Sequence, residues 1–385
     1  MAERIPAEVF PPGDFIREEL DARGWTQGDL AQIMDRPMRL VNELVAGKKQ
    51  ITPETARGLA TAFGDDDPLY WMNLDSAYRL AKTDPIAEAV GRRARLYSRF
   101  PVREMMKRHW IEPSDNLDVT EHRVCRFFHI ANIDDNLEFA HAAKAADYDQ
   151  RSELQFSWLY RAKELARGVR VAPYSERKLR DSLNRLKELL IAPEEIRQIP
   201  QILADAGVRF VVVEFLPGAK IDGAAFWLGS DQPVIALAIR FDKIDNFWFV
   251  LRHEIEHILC KDGLATKDGL VTIDVELTEK IRRKDTLPPE EVRANAAAAE
   301  FCVPKAELNS FIVRVRPLYS EQRILLFSKR IGVHPGLVVG QLQFREEVPY
   351  THFHKYLVKI KDIITQTALT DGWGSVPLTV GMEGV

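Results

Sequence analysis

Hydrophobic positions follow three regimes along the chain, and the changes of period between them mark its organisation. From Gly13 to about Leu80, apolar residues recur in short helical bursts with sharp stops. Phe15, Ile16 and Leu20, followed by Gly24, predict a helix with a glycine stop. Thr26 is placed to cap a second helix, Gln27–Met34, with Leu30, Ala31 and Ile33 inward. Asp35-Arg36-Pro37 makes a tight turn, and Pro37 suits a first helical position. A third helix, Met38–Ala46, buries Leu40, Val41, Leu44 and Val45 and ends at Gly47. Thr52-Pro53-Glu54 starts a fourth, with Thr52 as cap and Pro53 in its first turn. Two short helices across a three-residue turn, inside a small four-helix unit, form the helix-turn-helix pattern.

Residues 81 to about 204 read as a helical connecting region, with clear helical spacing over Ser152–Gly168 and Tyr174–Leu190. The period then changes. Val208–Phe215 and Pro233–Ile239 are short β-branched runs bounded by Gly, Pro and Asp, which predicts strands, with Gly223–Gly229 a candidate third. Helix returns at Asp242–Cys260 and again from about Pro289. The expected architecture is multidomain. An all-α helix-turn-helix domain covers 1–80, its first twelve residues Pro-rich and irregular. A helical connection covers 81–204, an α+β domain with C-terminal helices 205–369, and a tail 370–385.

Composition narrows the picture without overturning it. The 385 residues are 46% hydrophobic and 29% charged, an ordinary globular balance for two or three domains. No run approaches the roughly 18 apolar residues of a membrane helix. Met-Ala-Glu-Arg-Ile-Pro lacks a secretory layout, and three scattered cysteines make no disulfide framework, so a cytoplasmic address is expected. A net charge of −4 argues against indiscriminate coating of nucleic acid or membranes and leaves room for a local DNA-reading surface.

The sharpest chemistry is His253-Glu254-Ile255-Glu256-His257 on the predicted helix 242–260. Residues four apart stack about 40° from each other on one face, so two imidazoles can converge on one ion. Glu254 beside them can hold water and take its proton. An Asp242-x-x-Asp245 start resembles a capping box, and the preceding strand Pro233–Ile239 could hold an extended peptide if it lies at a sheet edge. Two histidines need a third ligand. Glu291, which opens the helix after Pro288-Pro289, is the leading candidate, with Glu290, Glu276 and Glu279 as rivals. Cys260 shares the helix face of His253, but a buried core cysteine is the expected reading. His334, His352 and His354 are expected to be surface or core residues.

The run from Asp245 to Leu259 resembles the core of the ImmA/IrrE family of metallopeptidases. Glu291-Val292-Arg293-Ala294-Asn295 with Glu300-Phe301-Cys302-Val303-Pro304, and Ile331-Gly332-Val333-His334-Pro335-Gly336 through Gln343, extend the likeness over about 205–365. The resemblance implies a zincin-like domain with His253, His257 and Glu291 as ligands, Glu254 as general base, and Zn²⁺, with Mn²⁺ the alternative, as the ion. The family commonly has glycine where this chain has Glu256. That residue lies about 60° from His253 on the wheel, where it could crowd the site or add an acidic partner.

Gly24-Trp25-Thr26-Gln27-Gly28-Asp29-Leu30-Ala31, with Gly47 to Ala56, Ala62-Phe63-Gly64 and Trp71-Met72-Asn73-Leu74, resembles HigA-type antitoxins of the Xre helix-turn-helix family. The third helix would then enter the major groove. Arg36, Arg39 and Asn42 are positioned for base edges, and Gln27, Lys48 and Lys49 for phosphates. The competing reading is a set of solvated faces on an acidic helical domain. Arg92–Arg108 carries seven basic residues and reads as a solvated linker helix that could add phosphate contacts.

These readings imply a regulator that binds double-stranded operator DNA as a homodimer, away from membranes, with a cognate toxin or other regulatory protein as partner. Its metal-dependent peptidase domain would cleave a regulatory protein or the chain itself. One alternative is a repressor with an inert or structural metal site. The other is a protease whose N-terminal domain docks substrate.

Overall fold

In the computed structural model the chain forms two compact units that divide between Ala94 and Arg95. The structure describes residues 10–65, 67–82, 86–137, 153–262, 272–275 and 287–372. Glu276, Glu279 and most of the 370–385 tail lie outside the described residues, as do 1–9.

The first unit contains α1 (Pro12–Arg23), α2 (Gln27–Ile33), α3 (Met38–Val45), α4 (Pro53–Phe63) and α5 (Pro68–Lys82). Its punctuation follows local chemistry. Gly24, at φ 66°, closes α1 and donates its N–H to the carbonyls of Asp21 and Leu20. Thr26 caps α2: its hydroxyl accepts from Asp29 N at 3.2 Å, and Asp29 Oδ2 accepts from Thr26 N at 2.7 Å. Thr52 caps α4, its hydroxyl accepting from Thr55 N at 3.3 Å, with Pro53 in the first turn. Ile16, Leu20, Leu30, Val41, Leu44, Leu59 and Trp71 form the core.

Two details differ from expectation. Pro37 precedes α3 in an extended conformation, ψ 135°, so the helix begins at Met38. Ile33 is 49% exposed. With Leu30 and Ala31 setting the inward direction, the wheel places Ile33 about 110° away from it.

Helix α6 (Ile86–Arg99) contains the division between units. The second unit continues with α7 (Val102–Lys107), α8 (Leu117–Phe128), α9 (Glu153–Arg167), α10 (Glu176–Glu188) and α11 (Ile199–Asp205). The sheet follows: β1 (Arg209–Val212), β2 (Ile221–Trp227) and β3 (Pro233–Leu237), then α12 (Ile244–Leu259) and β4 (Thr272–Val275). After these come α13 (Pro289–Cys302), α14 (Lys305–Val315), α15 (Glu321–Ile331), α16 (Pro335–Phe344), α17 (Lys361–Ile364) and β5 (Leu369–Thr370).

The sheet order is β4-β2-β3-β1-β5. β1 runs parallel to β3 and β5, whereas β2 is antiparallel to β3 and β4. Strand period two divides its side chains between two cores. Phe210, Val212, Ala225, Ile235 and Leu237 face α12 and the C-terminal helices. Val211, Val213, Ala224, Phe226, Val234 and Ala236 face helices of the 96–166 segment.

The segment read as a connection therefore covers one face of the sheet. Leu96, Met105, Val124 and Trp158 are each fully buried there, and a solvated linker would leave that apolar surface wet. Polar ties reinforce the packing. Arg108, 2% exposed, donates to the carbonyls of Glu214 and Phe215 at 2.9 Å each, and Trp158 Nε1 donates to Val213 O at 3.0 Å. Arg99 donates to the carbonyls of Ile133 and Asp135. Two members of the basic run Arg92–Arg108 thus hold backbone in place rather than sit on a solvated linker.

Candidate functional site

Helix α12 starts differently from its sequence signature. Lys243 is the N-cap and provides no side-chain hydrogen bond. Asp242 does not close a capping box. Its Oδ1 accepts from the N–H groups of Ile360 and Lys361 at 2.8 Å each, fastening the C-terminal segment to the helix start. Strand β3 is also not an edge: it lies between β2 and β1 with every residue buried. The edge on this side of the sheet is β4, reached through β2.

Further along α12 the two histidines converge. His253 and His257 are fully buried, and their Nε2 atoms stand 2.9 Å apart. Helix α13 brings Glu291 to both: Oε2 is 3.3 Å from His253 Nε2, and Oε1 is 3.7 Å from His257 Nε2. One ligand atom from each of the three residues falls within 4.8 Å of the others, so the group could hold a metal ion. The chemistry of the donors fits one. Two imidazole nitrogens and one carboxylate are a three-ligand set that leaves a position open, and a shared cation lets two facing lone pairs coexist. Glu290 on the same helix is not part of the group.

Glu254 is fully buried on the turn between the histidines. Its place is made by Gly223 of β2, where a Cβ would lie 2.4 Å from Glu254 Oε1 and 2.8 Å from Val250 Cγ1. Glu256 is not part of the ligand group. Its Oε2 accepts from Arg252 NH2 at 2.8 Å, and its Oε1 faces the Cys260 thiol at 3.6 Å. Cys260 is exposed rather than a core residue, because it sits at the helix C-cap, and it is absent from the ligand group. Partial desolvation of the sulfur, followed by the nearby Glu256 charge, pushes its thiol pKa up, which disfavours the thiolate.

Sequence reasoning missed Asp262. Its Oδ2 lies 2.8 Å from His257 Nδ1, and Arg293 bonds the same oxygen. Burial pushes the Asp262 carboxyl up, but bonds from His257 and Arg293 outweigh it and hold the pKa below its ordinary value. A carboxylate behind a ligating histidine fixes the ring tautomer and its orientation. Its sequence signal was an acid five residues past His257, where the helix has just ended. His334, by contrast, caps α16, its Nδ1 accepting from Gly336 N at 3.1 Å.

In the first unit, Arg36, Arg39, Asn42, Lys48 and Lys49 are exposed and Gln27 is half-buried. Arg39 and Asn42 lie on α3, with Arg36 just before it and the lysines just after. Arg36 is ion-paired with Glu54, and Arg39 Nε donates to Glu43 Oε1 at 2.8 Å. The hydrogen bond from Arg39 holds the Glu43 carboxyl below its ordinary pKa.

Among the described residues, no helix is long and apolar enough to cross a membrane. No family model matches the chain. Two curated proteins are similar to its N-terminal region. One is described as an uncharacterized HTH-type transcriptional regulator, YddM of Escherichia coli (strain K12). It is 34% identical over 73 residues, which is 19% of this chain and 77% of that protein. The other is Virulence-associated protein A' of Dichelobacter nodosus, 31% identical over 71 residues, 18% of this chain and 62% of that protein.

Proposed function

Since this chain belongs, through its N-terminal region, to the family of HTH-type transcriptional regulators, we propose that it is an antitoxin-like repressor carrying a metal-dependent peptidase. It binds operator DNA as a homodimer, and its second unit cleaves a regulatory protein, a toxin partner or the chain itself. One observation carries the peptidase half: His253, His257 and Glu291 converge while Glu254 is buried on the turn between the two histidines. The resemblance to ImmA/IrrE metallopeptidases, and with it a zincin-like fold, supports the same reading. Zinc is the proposed ion and manganese the alternative.

His253, His257 and Glu291 would hold the ion. A divalent cation bound there would supply Lewis acidity toward water and a peptide carbonyl. Glu254 takes the proton from the attacking water and delivers it to the leaving amine. Asp262 keeps His257 in the tautomer whose Nε2 lone pair faces the site. An inert site was the reading that Glu256 invited. The ion pair with Arg252, which engages that carboxylate, supports the active reading instead.

The test uses the full chain, DNA from upstream of its own gene, and a Glu254→Gln variant. Mobility-shift with both proteins, and zinc-dependent proteolysis of the chain or of co-expressed neighbours by the native protein alone, are expected. Absence of a shift overturns the repressor half. Proteolysis that persists in Glu254→Gln overturns the peptidase half.

A further inference from the structure

The same two helices that carry the metal ligands enclose a second feature. A cavity of about 150 Å³ lies between α12, α13 and α16 and is lined among others by Asp245, Phe249, Asn295, Leu337, Phe344 and Tyr350. Asp245 is eight residues before His253, about 12 Å along the helix axis, and Asn295 is one turn beyond Glu291. The cavity therefore has its own walls, one to two turns from the metal ligands.

Its walls are mostly apolar, but its polar groups have unmet capacity. Asp245 keeps part of its surface, yet its Oδ1 is buried and has no hydrogen-bond partner. Neither the Oδ1 nor the Nδ2 of Asn295 has one. Burial pushes the Asp245 carboxyl pKa up, against the opposing pull of the N–H groups of Asn246 and Asp245 and the Lys243 charge. Gly340 of α16 passes so close that a Cβ would lie 2.4 Å from Asp245 Oδ2, so the neighbouring helix is shaped around the carboxylate. A carboxylate on the wall of an aromatic-lined space is what a binding site for an amphipathic cation needs. A cavity of this size takes roughly a benzene-sized body.

We propose that this cavity binds a small organic cation, an ammonium on a short aliphatic or aromatic body. The ammonium sits on the Asp245 carboxylate, and the apolar body lies against Phe249 and Phe344. This site does not depend on the peptidase reading, because it shares no residue with the metal ligands.

Calorimetric titration of the full chain with benzylamine hydrochloride, and with benzyl alcohol as the neutral counterpart, tests it. The native protein is expected to bind the amine at least tenfold more tightly than the alcohol. Asp245→Asn should erase that preference, and Ala299→Leu, which fills the cavity from α13, should abolish binding of both. Circular dichroism checks that each variant is folded. If Asp245→Asn does not fold, the amine-to-alcohol ratio of the native protein and its loss in Ala299→Leu decide. No amine binding by the native protein means a cavity that holds only water, and overturns the proposal. So does equal affinity for the two probes, or an amine affinity unchanged by Asp245→Asn or by Ala299→Leu.

Discussion

Gly223 and Glu254 meet across the space between β2 and α12: a Cβ on the glycine would stand 2.4 Å from the carboxylate oxygen. Gly223→Ala should therefore displace the buried Glu254 side chain and press on Val250. The expected loss is about 1–3 kcal/mol of stability, the usual cost of forcing extra atoms into a packed core. Urea unfolding monitored by tryptophan fluorescence measures it. A stability equal to the native protein would mean that the strand yields freely and that the close approach does not hold the carboxylate.

The metal ligands lead to a graded expectation. His257→Ala and Glu291→Ala should each remove most of the bound metal from a chain that otherwise holds about one equivalent, read by elemental analysis after purification with zinc. Asp262→Asn should leave the stoichiometry intact and weaken affinity by about 10–100-fold, as loss of a carboxylate behind a ligating histidine does. Competition with a chromophoric chelator separates the two behaviours. Full affinity in Asp262→Asn would reduce the His257–Asp262 contact to a structural one.

Glu256 prompts a third expectation, opposite to what its place in the motif suggests. Arg252 is only 8% exposed, and its guanidinium gives one hydrogen bond to Glu256. Glu256→Gly, which restores the residue common in the resembled family, should cost about 1–3 kcal/mol by leaving a buried charged donor unmet. Metal content should not change. A gain in metal with no loss of stability would show that the glutamate does intrude on the site.

Much of this was legible in the sequence, and some was not. Local signals such as the Thr26 cap, the Gly24 stop and the four-residue spacing of His253 and His257 depend on neighbours in the chain. Glu291 needed more, since spacing alone left rivals open and only the resemblance singled it out. The Arg252–Glu256 pair, one helical turn apart, and Asp262, five residues past His257, left local signals that went unread. The double use of Asp242 instead depends on proximity to residues more than a hundred positions away. The burial of helices in the 96–166 segment was missed for the same reason: their apolar spacing was visible, but the sheet face they cover lies more than forty residues further on.

Asp245 allows a prediction about pH. Its folded pKa is raised above the ordinary 3.8 by burial. A raised carboxyl contributes stability that is fully present below the unfolded pKa and is lost as pH rises through the folded one. Asparagine has no such charge to bury. Asp245→Asn should therefore be more stable than the native protein at neutral pH, with the difference closing as pH falls toward 3.8. Thermal unfolding at a series of pH values reads this directly. A neutral-pH loss of stability would mean that the carboxylate has a native partner.

The DNA-reading surface gives the last prediction, and its ion pairs set the sign. Arg39 is engaged by Glu43 one turn along the same exposed face of α3. A base edge must compete with that carboxylate for the guanidinium, and the carboxylate also repels the phosphates on either side. Glu43→Gln should therefore tighten binding to promoter DNA. Arg39→Ala and Asn42→Ala should each lose about 1–3 kcal/mol on the specific site and little on scrambled DNA, because base contacts carry the discrimination. Lys48→Ala and Lys49→Ala should weaken both sequences alike and lower the salt slope by about 0.9 each, since each phosphate contact releases roughly that much counterion. Fluorescence anisotropy across a range of salt concentrations separates the two classes. If the arginine and lysine variants change affinity for the two sequences in the same ratio, α3 does not read bases, and discrimination must come from elsewhere on the chain or from the shape of the operator.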